Sequence, residues 1–460
     1  MAKQSIFSTV VEVIKDIFRF WNKPKEGKYI SYKEFAAFAV GGMGVYGAII
    51  TAGFLTLSAG LYVAAALDVK VFEITFIGIV SSIFTILRAP LITKVVDNTN
   101  SKYGKFRPYL IWMPLPIIVS ALALVFVTPM FQGNHIVMLV VFTLLFNVMQ
   151  LFLSFYNLAF TTLVQVISPL QSERELLMGV GSTIYSLGST FTTMIFPIVA
   201  NVLFTVRNGE DVTMGINTMK AFYWIFPILL LLLFALGYWT AFGTKERTIT
   251  SKKYVQKVSL RAGFSACAKN KYFWLSNLSS VLSFAKLYTT GLTAWICTYM
   301  LQSDWAQGIM VLVLGGAWLP GMLGAPYLIK KFGKKNLVVL SNIFIGVCAL
   351  PMFFFANTNG WVLLGFIFFI TLASSVQIVT GPAVGAQVFD YQQYKTGDRM
   401  EGAITQCGSV IATALGIGFA FILPAIYAMY GYIDKAEVLN NSAVLVPIIK
   451  TLAAFAFFSG

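Results

Sequence analysis

The chain has 460 residues, of which 58% are hydrophobic and 11% charged, and its mean hydropathy is +0.78. Soluble domains carry about 25% charged residues, so this composition excludes an ordinary soluble protein and indicates an integral membrane protein. The net charge of +15 does not indicate nucleic-acid binding, because the basic residues cluster in alternate breaks between apolar segments. That alternation is the positive-inside pattern of a multi-pass membrane protein.

Apolar runs recur along the chain, and each is long enough, at roughly 20 residues, for a helix to cross the ~30 Å hydrocarbon core of a bilayer. They are apolar on every side, which favours helices over the alternating strands of a barrel. In chain order the twelve runs are 35–67, 72–95, 109–129, 136–167, 178–204, 222–242, 273–300, 306–329, 337–356, 361–389, 403–430 and 443–458.

Lys and Arg divide unequally between the two sides that these runs define. The side that holds the N-terminus collects 26 of the 33, the other side collects five, and Arg88 and Lys286 lie inside runs. Because basic loops stay in the cytoplasm, we expect a multi-pass protein of the cell membrane with both termini cytoplasmic.

The longest polar segment divides the twelve runs into six and six. Each half repeats a local pattern, since Tyr103-Gly104-Lys105 follows the second run and Phe332-Gly333-Lys334 follows the eighth. A duplicated six-helix unit with parallel halves is the layout of the major facilitator superfamily. We therefore predict an all-α integral membrane protein with the major facilitator fold and 12 transmembrane helices in two six-helix halves. The predicted domains are a cytoplasmic amphipathic segment over 1–34, an N-terminal six-helix bundle over 35–242, a central cytoplasmic loop over 243–272 and a C-terminal six-helix bundle over 273–460.

Residues 83–115 read IFTILRAPLITKVVDNTNSKYGKFRPYLIWMPL. This segment resembles helices II and III of the glycoside–pentoside–hexuronide:cation symporters, the melibiose permease family, in which a helix II proline precedes D-x-T-x-S-x-x-G-[KR]-[FW]-[KR]-P. The likeness extends over essentially the whole chain through Ser172-Glu173-Arg174-Glu175, Phe389-Asp390-Tyr391 and Arg399-Met400-Glu401. The resemblance implies a secondary transporter that moves a sugar, glycoside or uronide by alternating access, with one solute site between the halves.

The chain departs from this family at the cation site. The family's helix II carries two aspartates that coordinate Na⁺ with help from a helix IV aspartate, and the resemblance places Thr85, Ala89 and Asn157 at those positions. A Na⁺ site in a low-dielectric pocket normally includes a carboxylate, and no carboxylate lies deep in a run. We therefore interpret Thr85, Arg88 and Ala89 as a degenerate cation site and expect transport without the family's Na⁺ mechanism.

A polar stripe on the fourth run is the main candidate for a solute site. Its side chains recur at spacings of 3, 4, 3 and 4, which places them on one side of a helix: Asn147, Gln150, Ser154, Asn157 and Thr161. Amides and hydroxyls at several heights suit a polyhydroxylated solute; alternatively they form hydrogen bonds between helices, worth about 0.6 kcal/mol each. The resemblance places Tyr46 near the position of a sugar-binding aspartate in helix I of the family. Tyr46 completes the predicted substrate-binding set together with Lys286, Gln377, Gln406 and Ser409.

Two cations lie inside runs. Lys286 is about 20 Å into its run at 1.5 Å per residue, so we expect it to face a polar cavity rather than the interface. There it either meets an anionic group of the solute, carries a proton or fills the vacated cation site. Arg88 lies nearer the inner surface, where it either faces the cavity or extends to the headgroups. Together these two cations favour the hypothesis of an acidic solute, such as a uronide.

The two basic turns are expected to close the cytoplasmic side, as the family suggests, with Asp97, Lys105, Arg107 and Arg399 as gate residues. Glycines of the first and eighth runs predict close helix packing: Gly41, Gly42, Gly44, Gly47, Gly315, Gly316, Gly321 and Gly324. The sequence shows no metal-ligand set and no His-based activation of a nucleophile. We therefore expect no enzyme activity, cofactor or bound metal, and a monomer whose partners are the solute and the lipid bilayer.

Two other functions fit the same features. A non-transporting membrane solute sensor would explain the missing cation site, and it would bind a ligand without moving it. A carrier of lipids or amphiphiles would fit the 41 phenylalanines, and detergents rather than sugars would compete for its site. The sequence leaves both alternatives open.

Overall fold

The computed structural model describes residues 15–55, 67, 69, 71–99, 101–208, 211–213, 215, 218–247, 270–279, 293, 296–301, 316–318, 320–322, 324–325, 327–356, 359–396, 408, 411, 414, 429 and 442–459. Lys286, Arg399, Gln406 and Ser409 lie outside these residues, and so does the side chain of Asp97. Within the described part, seven helices are long and apolar enough to cross a membrane.

Helices account for most of the described secondary structure. The first eight are α1 (Tyr32–Gly53), α2 (Val71–Asn98), α3 (Arg107–Trp112), α4 (Pro114–Val127), α5 (His135–Ile167), α6 (Gln171–Leu176), α7 (Ser182–Phe204) and α8 (Met219–Gly243). A 3₁₀ turn, Thr128–Phe131, follows α4, and a π-helical turn, Leu177–Gly181, joins α6 to α7. Further along the chain come a second π-helical turn, Ile296–Leu301, and then α9 (Lys334–Phe354), α10 (Gly360–Thr396) and α11 (Ser442–Ser459).

Local signals in the sequence explain where two of the helices begin. Ser31 caps α1 by accepting the N–H of Glu34 at 3.3 Å, and Asn134 caps α5 by accepting the N–H of Val137 at 3.3 Å. Such side-chain acceptors satisfy backbone donors that the first helical turn leaves unpaired. The predicted fourth run matches α5 closely. Helix α1 ends at Gly53, and residues 56–66 of the predicted first run lie outside the described part of the chain.

A short β-hairpin interrupts the helices, which the prediction of an all-α chain did not include. Strand β1 (Val206–Asn208) pairs antiparallel with β2 (Asp211–Thr213), with Val206 opposite Thr213. Thr205 accepts the N–H of Gly215 at 3.1 Å through its hydroxyl. The hairpin lies between α7 and α8, outside both predicted runs, so it does not alter the membrane-spanning architecture.

The chain divides into two compact units. The first comprises Met1–Thr56, Leu87–Thr193 and Phe222–Val255, and the second Leu57–Ile86, Met194–Ala221 and Gln256–Gly460. The core of the first unit is aromatic, with fully buried Tyr156, Phe142 and Phe234, and the rings of Tyr156 and Phe234 lie 5.5 Å apart. In the second unit α9 packs against α10 and α11.

Close helix contact at the glycines of α1 is confirmed. A Cβ atom at Gly41 would overlap Thr240 of α8, one at Gly44 would overlap Gly237 of α8, and one at Gly47 would lie 2.7 Å from Leu233. Thr240 also donates its hydroxyl proton to the carbonyl of Ala37 at 2.9 Å. In the second unit a Cβ at Gly321 would overlap Ser375, whereas no described atom lies within 4 Å of one at Gly316 or Gly324. Gly315 lies outside the described residues.

The glycines of the two repeated basic turns both have a positive φ. Gly104 has φ +109° and Gly333 has φ +78°, and each occupies the central position of its triplet. Positive φ is readily adopted only by glycine. Gly333 directly precedes α9, and Gly104 lies three residues before α3. This agreement is what an internal duplication of the turn predicts.

Candidate solute-binding site

The polar stripe of α5 lies on a separate side of that helix. Asn157 and Thr161 are exposed, and Asn147, Gln150 and Ser154 are half-buried. At 3.6 residues per turn, the stripe is about a third of a turn from the packed side of α5, which includes Met149 and Tyr156, and about as far from the exposed apolar side, which includes Leu144 and Val148. The stripe therefore belongs neither to the packed interior nor to the apolar surface.

Several polar groups of the stripe bond back to their own helix. Ser154 donates its hydroxyl proton to the carbonyl of Gln150 at 2.6 Å, and Thr161 donates to the carbonyl of Asn157 at 2.9 Å. Asn147 donates to the carbonyl of Thr143 at 2.8 Å. A hydroxyl that donates one bond still has lone pairs that can accept another. The stripe thus keeps acceptor capacity for the hydroxyl groups of a solute.

A second set of hydroxyls, on α7, is absent from the predicted site residues. Ser189 donates to the carbonyl of Ser186 at 2.7 Å, Thr190 donates to the same carbonyl at 3.3 Å, and Thr193 donates to the carbonyl of Ser189 at 2.8 Å. Thr193 is exposed and the two serines are half-buried. Their spacing of three and four residues along an apolar helix was the signal that could have identified them.

Tyr46 of α1 meets aromatic residues of α5 and α7. Its ring stacks on Tyr185 with centroids 4.6 Å apart and meets the ring of Phe160 edge-on at 5.7 Å. Phe38 stacks on Phe160 at 5.1 Å. We call Phe38, Tyr46, Phe160 and Tyr185 the aromatic cluster. It brings the predicted residue Tyr46 to the helix that carries the stripe, and adds Tyr185, which the prediction did not include.

Gln377 of α10 lies in the second unit. Its amide nitrogen donates to the hydroxyl of Ser341 and to the side-chain oxygen of Asn342, both at 2.8 Å and both on α9. These contacts join two helices, which is the alternative role of polar groups in membrane segments. Binding of solute by Gln377 stays a prediction.

The predicted degenerate cation site lies on α2. Thr85 donates its hydroxyl proton to the carbonyl of Ser81 at 2.8 Å. Arg88 is half-buried, and its Nε and Nη1 atoms are enclosed by protein. Among the residues that the structure describes, no group of three or more His, Cys, Asp or Glu is arranged to hold a metal ion. That Thr85 and Ala89 occupy the positions of the family's aspartates stays a prediction; in sequence, Arg88 lies between them.

The predicted gate residues Lys105 and Arg107 contact Glu246 within the first unit. The carboxylate of Glu246 accepts the backbone N–H groups of Lys105, Phe106 and Arg107, each at 2.8 Å. Arg107 also donates its Nε proton to the carbonyl of Ala241 at 2.9 Å. Consecutive N–H groups of this kind form an anion-binding concavity. We use the name basic end for four neighbouring segments of this unit: 25–34, the turn 101–106, 168–174, and 244–247, which contacts that turn.

Two further carboxylates hold the basic end together. Glu34 and Arg247 form a two-pronged ion pair, with both N···O distances 2.8 Å, and Glu34 also accepts the N–H of Lys245 at 2.8 Å. These hydrogen bonds raise the pKa of Arg247 against the opposing effect of burial. Glu173 accepts the N–H groups of Tyr29 at 3.1 Å and Ile30 at 3.3 Å, and the hydroxyl proton of Ser168. Both carboxylates are only 6% exposed.

The long apolar helices are those of a multi-pass membrane protein, and solved structures of transporters match its fold. A mutant of the nucleoside transporter NupG matches with a TM-score of 0.60 at 14% identity, over 92% of this chain and 98% of that one. The transporter FucP in its outward conformation matches with a TM-score of 0.51 at 13% identity, over 93% and 98%. At these identities the likeness concerns the fold alone.

The chain belongs to the family described as MFS/sugar transport protein, whose model matches residues 35–458. The lactose permease of Leuconostoc lactis is 26% identical over 446 residues, which are 93% of this chain and 66% of that protein. The isoprimeverose transporter of Lactiplantibacillus pentosus is 25% identical over 81% of this chain and 78% of its own length. The glucuronide carrier protein homolog of Escherichia coli (strain K12) is 24% identical over 79% and 78%. The resemblance to the glycoside–pentoside–hexuronide symporters is thereby confirmed.

Proposed function

We propose that this chain is a secondary transporter that moves a sugar, glycoside or uronide across the cell membrane by alternating access. The main observation behind this proposal is the stripe of α5, where exposed Asn157 and Thr161 present an amide and a hydroxyl on a membrane-spanning helix. Neutral donors and acceptors match the hydroxyl groups of a sugar, and a few such groups in an otherwise apolar lining are typical of small-molecule sites.

The relatives support this substrate class. Their names concern lactose, isoprimeverose and a glucuronide, which are all glycosides. The chain spans just under two thirds of the length of the lactose permeases that it matches. Transport of a related sugar by this chain is therefore a proposal. The unequal distribution of Lys and Arg supports two cytoplasmic termini. The proposal keeps twelve helices in two halves, divided at the central loop 243–272.

The proposed transport cycle does not use the family's Na⁺ site. Thr85 donates its hydroxyl proton to the carbonyl of Ser81 within α2, and Arg88 adds a positive charge to the same helix, one residue before Ala89. A fixed cation in a low-dielectric setting repels a second one. We infer that Arg88 and Lys286 replace the charge that a bound Na⁺ supplies elsewhere in the family.

Entrance counterflow tests the proposal, because exchange of labelled for unlabelled solute needs no ion gradient. Purified protein in proteoliposomes is loaded with unlabelled lactose, isoprimeverose or methyl glucuronide, and entry of the labelled form is followed. We expect exchange of at least one of them, at the same rate in Na⁺ and in K⁺ buffers. Exchange of none would overturn the transport proposal, and binding without exchange would favour a sensor. A saturable dependence on Na⁺ would overturn only the inference about the cation.

A further inference from the structure

We propose that Tyr46 and Tyr185 form an aromatic platform for the C–H face of a pyranose ring, so that this chain recognises a pyranoside by stacking. The inference rests on the proposed function and deepens it, because it narrows the substrate to pyranosides with one uninterrupted C–H face. It also assigns a role in specificity to Tyr185, which neither the sequence pattern nor the comparisons indicate.

Exposure divides the aromatic cluster into a base and an accessible edge. Phe38 is 2% exposed and Phe160 is 1% exposed, whereas Tyr46 and Tyr185 are half-buried. The tyrosine rings stack on each other, with centroids 4.6 Å apart and an interplanar angle of 22°, so it is an outer face of the pair that would meet a C–H face. Tyrosine combines an apolar ring with a hydroxyl that bonds to water or a ligand. The two residues that remain accessible are therefore those that can serve both a C–H face and a polar edge.

Close backbone contacts fix the platform in place. A Cβ atom at Gly42 would lie 2.7 Å from Phe160 Cζ and 2.8 Å from Tyr185 Cβ, and one at Gly188 would overlap the carbonyl of Met43. Helices α1 and α7 thus approach as closely as their backbones permit. Because the rings are held before any solute arrives, binding does not have to order them, which increases affinity.

On two helices, polar residues stand close in sequence to members of the aromatic cluster. Asn157 precedes Phe160 by three residues on α5, Thr161 follows it directly, and both are exposed. Ser189 follows Tyr185 by one turn on α7 and is half-buried. A pyranose ring needs an apolar surface under its C–H groups and hydrogen-bonding groups around its equatorial hydroxyls. This combination of aromatic surface and a few polar groups is typical of small-molecule sites.

Leucine and phenylalanine variants separate stacking from simple core packing. Dissociation constants for lactose, isoprimeverose and methyl glucuronide are measured by titration calorimetry with the purified full-length protein. We expect Tyr46→Leu and Tyr185→Leu to weaken binding about tenfold, near the upper value for one lost aromatic contact. Tyr185→Phe should bind within about threefold of wild type, because it keeps the ring.

Tyr223→Leu is the matched control. Tyr223 also stacks in the first unit, on Phe126 with centroids 5.3 Å apart and an interplanar angle of 18°, but it lies away from the stripe residues in sequence and belongs to a different ring pair. Its replacement should leave the dissociation constants unchanged. Apparent melting temperatures identify any leucine variant that fails to fold, and a methionine variant, which fills the space flexibly without an aromatic ring, then replaces it with the same expected outcome.

The outcomes separate the platform from transport itself. Unchanged binding in both leucine variants, or equal loss in Tyr185→Phe and Tyr185→Leu, would overturn the platform while wild-type counterflow upheld transport. Weakened binding in the leucine variants without wild-type counterflow would uphold the platform and overturn transport. A wild-type protein that binds none of the three glycosides would overturn both.

Discussion

The basic end and the stripe of α5 belong to the same compact unit but use their polar groups differently. At the basic end, Glu34, Glu173 and Glu246 each accept several hydrogen bonds from backbone N–H groups or from Arg247. On the stripe, Ser154 and Thr161 are neutral and donate to carbonyls of their own helix. The carboxylates have definite protein partners, whereas the stripe retains capacity for a ligand.

Solvation explains this division. A buried charge is costly unless it is paired and hydrogen-bonded, and the cost is greatest within the hydrocarbon region. Charged groups therefore hold segments together near the ends of helices, where backbone donors are available. Neutral amides and hydroxyls can stay accessible within the span. Substitutions of the buried carboxylates of the basic end or of Arg247 should accordingly reduce stability, and substitutions on the stripe should alter solute handling.

The largest loss of stability is expected for Glu246→Ala. It removes the acceptor of three backbone N–H groups, and hydrogen bonds to a charged group contribute about 1.5–3 kcal/mol each, with incomplete additivity. We expect the free energy of unfolding to fall by about 2–4 kcal/mol, measured by chemical denaturation in detergent. Glu26→Ala, at an exposed residue, is the control. A loss no larger than that of the control would show that the turn does not depend on Glu246.

A smaller loss is expected for Arg247→Lys. Lysine keeps the charge but cannot reproduce the two parallel bonds to Glu34, so we expect a loss of about 1–2 kcal/mol. Because the pKa of Arg247 is raised in the folded protein, its contribution is complete below the ordinary arginine value and is lost only as pH rises beyond the folded value. Denaturation between about pH 6 and pH 9 should therefore show no change in the contribution of Arg247. A contribution that fell within that range would contradict the pairing.

The smallest effect on stability is expected on the stripe, for Thr161→Val. This change replaces an exposed hydroxyl by a methyl group of similar volume, so the free energy of unfolding should stay within about 0.5 kcal/mol of wild type. The KM for solute exchange should rise about threefold to tenfold, because one hydrogen bond to the solute is lost. Thr162→Val is the matched control, since Thr162 donates to the carbonyl of Leu158 in the same way but lies outside the stripe. Equal changes in KM for both variants would count against the stripe as a solute site.

Periodic features were predictable from the sequence, and contacts between distant segments were not. The polar stripe follows from its spacing, and the close packing at Gly41 and Gly44 follows from residue size. The bonds from Glu246 span 139 to 141 residues, and that from Glu34 to Arg247 spans 213. A hydrophobic pattern contains no information about such pairs. The hydroxyls of α7 did have a regular spacing, so they could have been predicted from the sequence.

The hydrogen bonds that Glu173 and Glu246 accept influence how the protein responds to ionic strength. Their oxygens accept backbone N–H groups, whereas Lys102 and Lys245 of the same end are exposed. Dissolved salt screens exposed charges over a Debye length of about 8 Å at 0.15 M but affects buried contacts much less. Concentrated electrolyte should thus weaken the attraction of these lysines for anionic headgroups while the carboxylate contacts beneath them persist.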